Sequence, residues 1–196
     1  MSRSLQSLGW LGLVCVFTLM ALASTGAHAQ EFNAGPGPQN KISAGLLIGY
    51  GVGFDEPNIW GFGLGARAGY NLNQVYMGLR FMYNFGESYS DVIGLAEITA
   101  NMWSLGIEGG YDFLVADKVT IRPELGLGLA MTTISADTDF GGGSESNSNF
   151  YMAFGAAALY DISPMLFIGL DTGIQLIVGD GSTAAWLFLA NIGTRF

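Results

Sequence analysis

Apolar and polar residues alternate with a period of two through most of the chain beyond residue 41. In "ISAGLLIGYGVG" (42–53) the even positions are Ile42, Ala44, Leu46, Ile48, Tyr50 and Val52. The odd positions are Ser43, Leu47 and glycines. In "WGFGLGARAGYNL" (60–72) Trp60, Phe62, Leu64, Tyr70 and Leu72 share one face, opposite Gly61, Gly63, Gly65 and Arg67. Six further segments behave alike, at 75–85, 103–113, 119–131, 150–160, 166–176 and 186–196. Successive side chains of a strand point to opposite faces, so the pattern predicts eight strands. Each has the roughly 9–11 residues that a tilted strand needs to cross a bilayer.

The two faces decide where such strands sit. The bulky face of all eight carries no Asp, Glu, Lys or Arg, and the opposite face is largely glycine. A soluble sheet puts its bulky set inward and its polar set towards water. Glycine cannot solvate a surface, but it suits the narrow lumen of an eight-stranded barrel, which side chains must fill. The bulky face is therefore expected to meet lipid, and lipid tolerates no open sheet edge. The fold class predicted is all-β, an eight-stranded antiparallel up-and-down transmembrane β-barrel over 42–196. Pro123 is the one misfit, since it lacks a ladder donor; it lies near a strand start, where a bulge could absorb it.

Connection lengths set an orientation. The links at 71–74, 114–118 and 161–165 are short, whereas 54–59, 86–100, 135–149 and 180–184 are mostly longer. Short periplasmic turns and longer extracellular loops characterise outer-membrane barrels, so both termini are expected in the periplasm. Trp60, Trp103 and Trp186 fall at the long-loop ends of the bulky face; Tyr70, Tyr111, Phe113 and Tyr160 fall at the other ends, with Phe196. These rings are expected to form two interfacial girdles.

The last strand, "AWLFLANIGTRF" (185–196), resembles the C-terminal sorting signal of outer-membrane proteins. The resemblance implies that the barrel assembly machinery reads Phe196 during insertion. "IRPELGLGLA" (121–130) resembles the Pro-x-x-Gly-x-Gly strand of the small porin-like, OmpA-like barrel domains. That likeness covers about 42–196 and implies a bacterial outer membrane, with its lipid and lipopolysaccharide as surroundings. The chain departs from full-length OmpA-type proteins in having no domain after the barrel, so no peptidoglycan anchor is implied.

Ahead of the barrel, Arg3 precedes the apolar run Leu8–Ala23, and Ala27 and Ala29 form a small-x-small pair. This reads as a signal peptide over 1–29, cut after Ala29, followed by a periplasmic tail over 30–41. Val14 precedes Cys15, where a lipidation signal needs a small residue. Cleavage removes Cys15, His28 and one of the 7 basic residues but none of the 16 acids, leaving a formal charge of −10. So acidic a chain repels phosphates, which argues against a nucleic-acid partner. Without Cys or His, the usual triads, thiol nucleophiles and His-rich metal sites are unavailable. Barrel enzymes of this size, the lipid A deacylases, palmitoyl transferases and omptin-like proteases, resemble the chain in architecture only, since they depend on a histidine. Carboxylate-only catalysis through Glu108 and Glu124 is the one chemistry left open. No enzyme and no cofactor is expected.

The glycine-rich face also carries Arg67, Arg80, Arg122 and Arg195, with Glu108, Asp112, Glu124 and Asp171. Buried charges must pair, so these eight are expected to form a salt-bridge network across the lumen. That network supports a closed barrel with a structural or surface-interaction role, or alternatively a narrow porin-like path for water, ions or small solutes. The long links carry nine acids and no Lys or Arg, which leaves a loop-based binder or adhesin, of unidentified ligand, as a third reading. "DTDFGGGSE" offers Asp137, Asp139 and Glu145 as calcium ligands. Gly141 holds the third ligand position and position 148 is Ser, so no metal is expected. "VIGLAE" (92–97) is apolar for a loop, and either extends the sheet or covers the mouth.

Overall fold

The computed structural model describes residues 42–54, 58–90, 96–138, 142–179 and 182–196, with backbone alone at 89, 90, 96, 97, 137 and 138. The expected signal peptide and tail lie outside them. The strands are β1 (Ile42–Gly53), β2 (Gly61–Leu72), β3 (Val75–Ser90), β4 (Ala96–Tyr111), β5 (Phe113–Ala116), β6 (Val119–Thr138), β7 (Gly143–Asp161), β8 (Leu166–Val178) and β9 (Thr183–Arg195). Neighbours in sequence pair antiparallel except β4 and β5, which both pair with β6, and β1 pairs with β9. The sheet thus closes on itself. β5 continues the wall of β4 after a break at Asp112, so the barrel has eight wall strands.

Pro123 explains that break. No bulge forms at Pro123 itself, where the β6–β7 register runs through Pro123↔Ala156 without a shift; the β5–β6 ladder shifts instead at the start of β6, between Leu114↔Thr120 and Ala116↔Val119. On its other side the ladder lapses after Gly110↔Glu124 and resumes in the same register at Phe113↔Ile121. The missing proline N–H thus costs ladder bonds, not alignment. On the β3 side the ladder runs on past the break, the Asp112 amide donating to Gln74 O at 2.7 Å in the β3–β4 register.

The sheet is taller than the apolar band. β6 has 20 residues and β7 has 19, against roughly 9–11 for a bilayer crossing. The segments expected as loops at 86–100 and 135–149 are largely strand, with Ser90↔Glu97, Glu97↔Asp137 and Ala136↔Gly143 in register. Along the outer face, Phe85, Trp103, Met131 and Phe150 mark the last apolar level. Beyond them come Ser88, Thr99, Thr133, Ser135, Ser144 and Ser146. Cross-strand hydroxyl pairs hold this extension, Ser88–Thr99 at 3.2 Å and Thr133–Ser146 at 3.0 Å. On the other side of β7, pairing with β8 begins only at Phe150↔Val178. Among the described residues, Gly143–Ser148 therefore has a ladder on one side only.

Candidate functional site

The lumen is filled from both ends. Its inward glycines are seats for large side chains from adjacent positions. A Cβ on Gly69 would lie 2.2 Å from the Tyr76 ring, one on Gly78 2.4 Å from the Tyr76 hydroxyl, and one on Gly106 2.2 Å from the Tyr151 hydroxyl. Phe167 lies in the same way against Gly193, and Met82 against Gly65. Small positions opposite large ones let an eight-stranded barrel fill without voids.

Mid-barrel, Arg67 from β2 lies among three carboxylates. Its Nε is 3.1 Å from Glu108 Oε1, its Nη2 3.3 Å from Glu124 Oε1 and its Nη1 3.0 Å from Asp171 Oδ2. Arg80 stands farther off, 3.8 Å from Glu108 and 3.9 Å from Glu124. All five side chains are at most 8 % exposed. The Tyr76 hydroxyl donates to Glu108 Oε1 at 2.7 Å. Glu108 and Glu124 are thus joined through Arg67.

A second group lies nearer the turns. Arg122 grips Asp112 with two bonds, Nε to Oδ1 at 2.5 Å and Nη2 to Oδ2 at 2.9 Å. Asn71 Nδ2 donates to the same carboxylate at 2.6 Å, and the guanidinium lies 3.7 Å over the Tyr76 ring. Arg195 pairs with Asp161 at the end of β7 and covers the Phe167 ring. The eight expected charges therefore all face inward but do not make one layer. They divide into a central five, the Asp112–Arg122 pair, and Arg195 with a partner, Asp161, outside the expected set. Tyr76 and Asn71 complete the network, and only their places on the inward face marked them.

Towards the loops the filling turns apolar. Trp60, Leu47, Met82, Met102, Tyr151, Leu187 and Leu189 are buried in one cluster. Trp60 corrects the expectation of three outward tryptophans: it is 0 % exposed. It precedes β2, and Gly61 has φ of +42°, so the strand alternation does not extend back to it. Asn58 fixes the inward bend, its Oδ1 accepting from the Gly53 and Trp60 amides at 3.1 Å each. A Cβ on Gly61 would meet Phe85 O at 2.2 Å, so only glycine serves there. Glu87 secures the bend from outside, accepting from Asn58 Nδ2 at 3.2 Å and from the Tyr50 hydroxyl at 2.7 Å.

The remaining girdle positions face outward. Tyr70, Tyr111, Phe113, Tyr160 and Phe196 are exposed, and the Tyr111 and Phe113 rings lie 4.7 Å apart. Trp103 is partly exposed. Trp186 stacks on Phe188 and donates its indole N–H to Thr172 Oγ1 at 2.7 Å, which satisfies that donor on an apolar surface. Of the calcium candidates, Asp137 and Glu145 lie on the paired strands β6 and β7. Asp139 is outside the described residues. Among those residues no group of three or more acids is placed to hold a metal ion.

A closed eight-stranded barrel with a charge-free outer belt is the architecture of outer-membrane proteins. Residues 15–196 match the outer membrane protein β-barrel domain family. The chain belongs to that family. Solved outer-membrane proteins share its fold at low identity. Ail, the attachment invasion locus protein of Yersinia pestis, is 17% identical over 80% of this chain and 97% of its own, with a TM-score of 0.53. Neisserial surface protein A is 16% identical over 79% and 96%, at 0.57. A major outer membrane protein from Thermus thermophilus is 11% identical over 79% and 99%, at 0.60. No curated protein matches in sequence. The family places the chain in the bacterial outer membrane, and these likenesses carry the fold alone.

Proposed function

We propose that this barrel presents a binding surface outside the cell and that its lumen is closed. The short turns and both ends of the barrel face the periplasm, and the tall side of the sheet faces outward. The observation that carries this reading is the β6–β7 extension with its one-sided strand, Gly143–Ser148. An unpaired strand edge offers a row of backbone donors and acceptors to an extended polypeptide. Closure is supported by two obstructions in series, the Arg67 cluster and the apolar cluster around Trp60. Ail has been solved in complex with the heparin analogue sucrose octasulfate. With nine acids and no Lys or Arg in its long links, the present chain has the wrong sign for a sulfated ligand and the right one for a basic segment. Phe196, exposed at the lipid face, is available to the assembly machinery, and lipopolysaccharide surrounds the outer belt.

Orientation has a direct test, because signal cleavage leaves no cysteine to interfere. On intact cells, a membrane-impermeant maleimide is expected to label Ser144→Cys and to leave Asp117→Cys untouched until the cells are opened. The reverse pattern would invert the barrel and end the proposal.

The surface role is tested by replacing 132–147 with Asn-Gly, which joins the paired Met131 and Ser148 through a two-residue turn. The shortened protein is expected to refold with the heat-dependent gel mobility of the full one. Cells displaying it are expected to bind a surface coated with a basic polypeptide several-fold less. Equal binding would remove the hairpin from any such role.

A further inference from the structure

The central cluster contains a feature that ion pairing leaves unexplained. Arg80 is 3.8 and 3.9 Å from its two carboxylates, beyond hydrogen-bond reach. Its Nη2 is buried and makes no hydrogen bond of good geometry, nor does the buried Asp171 Oδ1, although Tyr151 lies beside Arg80 and Asn191 beside Asp171. Polar groups separated by such distances are commonly bridged. Arg80, Glu108, Glu124 and Asp171 line one cavity of about 20 Å³, together with Gly126.

Gly126 differs from other glycines around it. A Cβ on Gly155 would strike Thr172 O at 2.3 Å, and one on Gly173 would strike Phe154 O at 2.6 Å. A Cβ on Gly126 would meet only Ala153 Cβ at 3.5 Å, Ile107 O at 3.6 Å and Arg80 Nη2 at 3.8 Å. The backbone does not demand glycine there; a methyl fits, in the space that Arg80 faces.

We infer that this cavity is a binding site for a single water molecule, which joins Arg80 to Asp171 and Glu124. The donor at Arg80 Nη2 turns away a cation, and the three carboxylates turn away an anion. A molecule that both accepts and donates serves the two sides at once. The volume admits one such molecule, since a water needs roughly 10–15 Å³ measured this way and two to four polar partners. It accepts from Arg80 and donates to the carboxylates. This inference concerns the central layer alone and does not rest on the proposed surface role.

The test is water-selective NMR on the refolded protein in detergent micelles. The wild type is expected to show a cross-peak between a long-lived water and the Gly126 protons. Gly126→Ala should abolish it and lower the urea midpoint, because a methyl displaces the water without replacing its hydrogen bonds. Gly126→Ser, whose hydroxyl also accepts and donates, should abolish the cross-peak with a smaller loss. Gly109→Ala, facing lipid at an open position, controls for the glycine change and should keep the cross-peak. A dry cavity predicts the opposite sign, with Gly126→Ala raising the midpoint by filling space. Absence of the cross-peak in the wild type, its survival in Gly126→Ala, or that rise would each overturn the assignment. The wild-type spectrum decides alone if the variants do not refold.

Discussion

Arg67→Ala is expected to destabilise the barrel by about 3–5 kcal/mol, the usual cost of stripping one partner from a buried ionic group. The reason is local charge. Arg67 and Arg80 face Glu108, Glu124 and Asp171 in the central layer. Without Arg67, three buried carboxylates share one distant guanidinium. Urea unfolding followed by gel mobility measures the loss. Adding Asp171→Asn restores the original charge balance and is expected to recover part of it. Arg67→Lys should recover little, because one ammonium cannot reach three carboxylates in the fixed fork geometry of a guanidinium. A wild-type midpoint in Arg67→Ala would show that the cluster contributes nothing to holding the wall strands.

Trp60→Ala is expected to cost a similar amount, about 3–5 kcal/mol, by a different route: it leaves a cavity in the apolar cluster. Trp60→Phe separates packing from hydrogen bonding. The indole Nε1 has no partner, so phenylalanine gives up only volume, and its loss should be less than half that of alanine. Planar-bilayer recording adds a functional measure. The wild type and each single alanine variant should stay at the lipid baseline, because one obstruction remains in each. The Arg67→Ala/Trp60→Ala double variant should pass current. Conductance in the wild type would refute the closed lumen.

What the alternation of residues disclosed was the lipid-facing belt, since period two in hydropathy reports which strand positions touch acyl chains. It located all eight wall strands and put every charged lumen residue on the correct face. It lost the strands where lipid ends. At Thr133–Ser135 and Ser144–Ser148 both faces meet water, so the backbone continues extended while the contrast between faces vanishes. Trp60 departs from the pattern for a related reason: the alternation ends with its strand at the left-handed Gly61, one residue short of Trp60. The central cluster was legible because buried charges need partners. Which arginine would hold which carboxylate was not, since that depends on strand stagger around the ring. Asp161 went unrecognised as a partner because it stands where β7 gives way to the turn.

The pairing of β1 with β9 has a consequence for how the molecule is made. Ile42 and Phe196 exchange backbone hydrogen bonds, Phe196 N to Ile42 O at 2.8 Å and Ile42 N to Phe196 O at 3.3 Å. The seam therefore joins the strands farthest apart along the polypeptide. Contacts of such long sequence separation form late, because loop-closure entropy opposes them until the intervening hairpins exist. Until then the growing sheet has two raw borders and an unsolvated greasy exterior. An escort that keeps both borders occupied would spare the precursor from aggregating during transit, and release from it would coincide with sealing of the ring.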